Sequence, residues 1–212
     1  MLSNPGVNVN KTIVFGAMLL GLAGATVQAE SVSEKTGLNS VLGVSPSTAD
    51  FVKEAAISDL FEIQSSQLAK QQATGPVATF ADQMIQDHTK TSNELKMLAQ
   101  DPSVKVDVPL ALDASHQKTL DSMKDAEGVN FIRTYANDQA SGHKDAVSLF
   151  ERYAKGGENA ALKQWAARTL PALKHHLEMA EGLRNAGARH ESENRGAMPG
   201  LKEPTGRSVY GK

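Results

Sequence analysis

The chain has no cysteine. That absence excludes disulfides, thiolate metal sites, a cysteine nucleophile and a lipid-modified N-terminal cysteine, and a core of this size needs no covalent staple. Aromatic residues are scarce, at 5% of the chain, while alanine is plentiful. This favours closely packed helices over a sheet sandwich, whose strands draw on aromatic and β-branched side chains. An excess of one charge is also missing. Lys and Arg total 22 against 24 Asp and Glu, a formal net charge of −2, and no basic stripe runs along the chain, so there is no electrostatic footprint for nucleic acid. Long apolar runs are missing too. The stretch from Ile13 to Ala25 is 13 residues long and glycine-rich, short of the ~20 that a membrane-spanning helix needs.

What is present begins with a leader. Lys11, the apolar run and the small-residue end Val27-Gln28-Ala29 follow the grammar of a secretory signal peptide with cleavage after Ala29. The expectation is a periplasmic protein, an envelope component of unknown partner with no integral membrane span after cleavage. Residues 30–46 read as a mobile lead-in, residues 47–186 as one helical domain, and residues 187–212 as a disordered tail rich in Gly, Pro and mixed charge. Within the domain, breakers separate long amphipathic patterns. Ser47 or Thr48 caps a first helix, Thr74-Gly75-Pro76 turns the chain into a second, Asp113 caps a short helix, and Gly156-Gly157 divides two further long ones. Pro171 falls inside the last. The expected fold is all-α, an antiparallel four-helix bundle made of two helical hairpins joined by a crossover with one short extra helix.

At about 100° per residue the apolar positions of each helix define a core face, and a few polar residues fall on those faces. They are Glu62 on the first helix, His88 on the second, Gln139 and His143 on the third, and His176 on the fourth. Asp87 lies at the edge of the second face, Tyr135 shares the third, and His175 points away. Glu62 and His88 lie about equally far from Gly75 and are expected side by side. The positions of His143 and His176 about the Gly156-Gly157 turn imply a height offset of roughly 6 Å, which makes Gln139 the better level match for His176.

These patterns resemble an uncharacterised family of exported bacterial proteins with a ferritin-like helical bundle, catalogued as a domain of unknown function. The resemblance spans residues 48–185 and rests on Phe51-x3-Ala55 with Glu62 and Leu68-Ala69, Phe80-Ala81-x2-Met84-x2-Asp87-His88, Phe131-x3-Tyr135-x3-Gln139-x3-His143, and Leu170-Pro171-x4-His176-Leu177. It implies the fold and export, and no activity. The Glu-x-x-His pairs of di-iron carboxylate bundles are absent, since Ile85, Ala140 and Leu173 stand three residues before the three histidines. No serine sits in an elbow-type glycine motif, so a non-enzymatic envelope or stress-related module with a buried Glu/His layer is expected. The alternative is a mononuclear metal site for one divalent transition metal, with Glu62, His88, His143 and His176 as ligands and Asp87, Gln139 and Tyr135 supporting them. This ligand set has no sulfur, which disfavours selectivity for copper(I), with Met84 and Met179 left open as sulfur donors.

Overall fold

The computed structural model describes residues 43–196, and the side chains of residues 43–189; the expected leader lies outside this range, as does most of the lead-in. The described residues form five helices and no strand: α1 Thr48–Gln72, α2 Gly75–Ala99, α3 Ala114–Lys124, α4 Gly128–Gly156 and α5 Ala160–Gly196. None of these helices is long and apolar enough to cross a membrane.

Local chemistry sets the ends of these helices. The Ser47 side chain accepts from the Asp50 backbone N–H and so caps α1, and Asp113 does the same for α3 through the N–H of His116, each satisfying a backbone donor that the first helical turn leaves free. Only Ala73 and Thr74 connect α1 to α2, because Gly75 takes φ +61, a left-handed conformation that favours glycine. Pro76 then fills the first turn of α2, where no backbone donor is required. At the far end, α5 runs through Gly187 to Gly196, which corrects the expected start of a disordered tail at residue 187. Gly187 costs about 1 kcal/mol relative to Ala, too little to stop a helix flanked there by the good helix formers Ala186, Ala188 and Arg189. Pro171 is likewise accommodated inside α5.

Helices α1 and α2 form one hairpin, α4 and α5 the other; α1 packs on α4 and α2 on α5. The chain directions follow from the contacts. Tyr153, near the end of α4, stacks on Phe51 at the start of α1, with ring centroids 3.9 Å apart, whereas Tyr135, nearer the start of α4, bonds Ser66 near the end of α1. Each packed neighbour among the four long helices is therefore antiparallel. This arrangement requires the segment between α2 and α4 to carry the chain back along the bundle. On the way α3 covers α1 with Leu120 and Met123.

Two apolar clusters fill the interior. One gathers Phe51, Leu95, Phe150, Tyr153, Leu162 and Trp165, the other Phe61, Phe80, Met84, Leu120, Met123 and Phe131. Gly157 closes the first. A Cβ at this position would stand 2.6 Å from both the Tyr153 ring and the Tyr153 carbonyl oxygen. Because Tyr153 is held by Phe51 and by a 2.9 Å bond to Thr48, it has little room to yield. Gly157→Ala is expected to destabilise the fold by about 1–3 kcal/mol, the usual cost of overpacking, read as a lowered melting temperature by circular dichroism. An unchanged melting curve would contradict this account of the packing.

Candidate metal centre

Between the two apolar clusters lies a polar layer. His88 of α2, His143 of α4 and His176 of α5 are each no more than 2% exposed, and their ring centroids form a triangle with every side 5.4 Å. One ligand atom from each of the three lies within 4.8 Å of the other two. The levels meet despite the offset expected between His143 and His176, because Cα–Cβ bonds lean toward the N-terminus of their own helix. In the antiparallel pair α4 and α5 this moves His143 away from the connecting turn and His176 toward it, so the gap closes.

Each ring is tied from outside by one nitrogen. His88 Nδ1 is 2.8 Å from Asp59 Oδ1, His143 Nδ1 is 2.9 Å from the Gln139 carbonyl oxygen, and His176 Nε2 is 3.0 Å from Asp87 Oδ2. A carbonyl oxygen only accepts, so His143 carries its proton on Nδ1 and a neutral His143 presents a bare Nε2. That atom faces His88 Nε2 at 3.3 Å. His176 Nδ1 is buried with no hydrogen-bond partner.

The charges around the triangle are uneven. Burial pushes His143 down to about 3, with the charge of His88 adding to the effect and the Gln139 carbonyl opposing it. Burial, again with His88, lowers His176 to about 4 against the pull of Asp87. For His88 burial also disfavours the charged form, but the hydrogen bond and charge of Asp59, with Glu62 and Asp87 behind, outweigh it and raise the ring above its ordinary value. A single proton thus belongs to His88, where it can bridge the two Nε2 atoms. No Lys or Arg is buried among the described residues, so the carboxylates here are offset by no fixed cation.

The positions of the expected site residues can now be stated. His88, His143 and His176 come together, and Asp87 supports His176. Glu62 is fully buried and stands apart, its Oε1 3.8 Å from His143 Nδ1, the ring nitrogen turned away from the triangle; burial raises its carboxyl to about 7. Gln139 serves through its backbone oxygen, and its side chain donates to Ser65. Tyr135 bonds Ser66 instead of the triangle. The expected side-by-side contact of Glu62 with His88 is corrected to Asp59. With only Ala73 and Thr74 in the turn, Asp59 precedes Ala73 by as many residues as His88 follows Thr74, so pivoting about Gly75 overshot by about one turn of helix. Charge was the available signal, an Asp one turn before Glu62.

Asp59 is a hub. Beyond His88 it accepts from Thr91 Oγ1 at 2.8 Å and Ser92 Oγ at 3.1 Å. Thr91 retains alternatives in the backbone oxygens of Asp87 and His88, so Asp59→Ala leaves chiefly the buried His88 Nδ1 without a partner. Such a loss costs about 1–3 kcal/mol, to be measured by urea denaturation. Asp59→Asn, which keeps an acceptor, should lose less; equal losses would argue against the bond.

Comparison with known proteins gives three findings. A family described as a domain of unknown function, DUF4142, matches residues 33–183. Among solved structures, CopM in the Cu(II)-bound form is similar to this chain with a TM-score of 0.57 and 17% identity, over 68% of this chain and 99% of that one, a likeness of fold. No curated protein matches.

Proposed function

The chain belongs to the DUF4142 family, a domain of unknown function, and from this premise we propose that it binds one divalent transition-metal ion through His88 Nε2, His143 Nε2 and His176 Nδ1. The observation that carries the reading is the pair of Nε2 atoms 3.3 Å apart, with both partner nitrogens engaged on outside acceptors. Without a proton or a cation between them, two lone pairs would face each other inside the bundle. Metal–nitrogen bonds of about 2.0–2.1 Å in a tetrahedral site put neighbouring ligand nitrogens about 3.3 Å apart, the spacing of the His88 and His143 pair, with a His176 nitrogen within 4.8 Å of both. Asp59, the Gln139 carbonyl and Asp87 hold the rings as outer partners hold metal-bound histidines generally.

Three imidazoles and no sulfur suit Cu(II) most and Zn(II) next, following the usual order of divalent affinities. The Cu(II)-bound state of CopM, a protein of similar fold, adds support for copper. The carboxylates of Asp59 and Asp87, which hold His88 and His176, supply negative charge that a dication offsets. Because the three ligands are almost fully buried, the reading is carriage or retention of the ion and not turnover of a substrate. The leader grammar of residues 1–29 supports placing this activity in the periplasm.

The test is a competition titration of the untagged protein with Cu(II) and Zn(II), repeated on His143→Ala. One ion per chain is expected, with affinity falling at least a hundredfold in the variant. Equal affinity in both proteins would end the proposal.

A further inference from the structure

At the end of the bundle where α4 begins, the seam between α4 and α5 is not closed. Val129, Ile132, Arg133 and Ala136 recur at spacings of three and four residues and share a stripe of α4, and Leu183, Arg184 and Gly187 stand opposite on α5. Between the two stripes lies a cavity of about 210 Å³. Its floor is apolar: Ala136 is buried, Ile132 and Leu183 are half-buried, and Val129, 64% exposed, stands at the rim.

Gly187 leaves this space. A Cβ there would meet nothing within 4 Å, so no tight packing accounts for a glycine inside α5, where it costs about 1 kcal/mol against Ala. The charge is one-sided as well. Arg133 and Arg184 line the cavity, one from each helix, and no Asp or Glu among the described residues does. Each arginine has a neighbour on its own helix. Arg133 Nη2 donates to Asn130 Oδ1 at 2.9 Å, and Arg184 Nη2 is 3.8 Å from Glu181 Oε1. Both contacts are exposed, where an ion pair contributes little, and neither crosses the groove. A guanidinium carries five N–H donors in a planar fork that matches a carboxylate. An apolar chain alone needs no cations, and a small anion alone needs no apolar floor. The groove offers both together.

We propose that the α4–α5 groove binds a single-chain alkyl carboxylate, a free fatty acid of medium length. Its carboxylate lies between Arg133 and Arg184, and its chain runs against Ile132, Ala136 and Leu183 in the space that Gly187 leaves. The volume falls below the roughly 300–1,000 Å³ of pockets for drug-sized ligands, which limits the occupant to one chain. The groove shares no residue with the imidazole triangle, so binding here does not require a metal ion there.

Decanoate is the probe, titrated calorimetrically into the full chain, with acetate testing the head group alone and decyltrimethylammonium the chain alone. One decanoate per chain should bind below millimolar concentration, and neither control should. Gly187→Leu, whose side chain enters the space, should weaken binding at least tenfold. It should not lower the melting temperature, because nothing there is displaced and a glycine leaves a helix. Arg184→Gln should weaken binding at least threefold. No saturable binding at millimolar decanoate, equal binding of decyltrimethylammonium, or parental affinity in Gly187→Leu would overturn the proposal. So would a dimer of the unliganded chain, seen by sedimentation, that Gly187→Leu dissociates, since a second copy would then be the occupant. Circular dichroism checks that Gly187→Leu is folded; if it is not, Arg184→Gln at the exposed rim decides alone.

Discussion

Saturation with Cu(II) is expected to raise the unfolding temperature of the untagged protein by about 10 °C, and a chelator should reverse the gain. The three ligands come from three different helices belonging to both hairpins, so no local piece of unfolded chain reproduces the site. An ion that binds the folded state alone stabilises it by mass action, by about 4 kcal/mol at a free concentration a thousandfold above Kd. For a domain of this size each kcal/mol moves the midpoint by about 2–4 °C, which brackets the stated shift. His143→Ala, with affinity down at least a hundredfold, should keep no more than about a third of it at the same concentration. The comparison is best made by calorimetry with and without the ion, and a parent protein whose midpoint ignores Cu(II) would contradict the proposed function outright.

Metal affinity should fall with acidification about tenfold per pH unit, a slope of one proton per ion. Three ordinary histidines would instead lose all three protons on binding and give about a thousandfold per unit well below their pKa of about 6.5. The difference arises because burial has already discharged two of the ligands. His143 and His176 are held down to about 3 and about 4 and stay bare until the solution is strongly acidic. Only His88, raised by Asp59, carries a proton that the ion must displace. The sign follows directly: protonated His88 competes with the metal, so affinity is full above the raised pKa of His88 and declines below it. Between pH 6 and about 4.5 the single-proton slope should hold, and near pH 4 it should steepen as His176 joins. Competition titrations across this range, with proton release followed in weak buffer, measure the slope. A value near three would mean that the buried rings titrate independently.

Both results depend on the same asymmetry among three chemically identical side chains. Asp59 makes His88 the charged member, and the carbonyl of Gln139 makes His143 the neutral one. Removing Asp59 is therefore expected to do more than destabilise the fold, since it takes away the group that orients a ligand. Outer partners of this kind are worth about 10–100-fold in metal affinity.

Much of this was readable from residue order. Helix class, the two hairpins and the inward placement of His88, His143 and His176 follow from periodicity and breakers, because an amphipathic stripe and a Gly or Pro act locally, within a few turns of the chain. The outer face of His175 was legible for the same reason. Asp59 was not. Helix α1 is contacted by α2, α3 and α4 and is buried around much of its circumference, so it has no single apolar stripe from which an inward face can be read. The level of Asp59 against His88 depended on a two-residue turn, and the meeting of His143 with His176 on the tilt of side chains in opposed helices. The place of Glu62 apart from the triangle depended on Gly142, on a different helix, leaving space for its carboxylate. Sequence determined that this chain is a helical bundle with three histidines turned inward. The tertiary structure decided which nitrogens face one another and which carboxylate serves which ring, because those are distances of a few ångströms between helices, set by packing and not by any one helix alone.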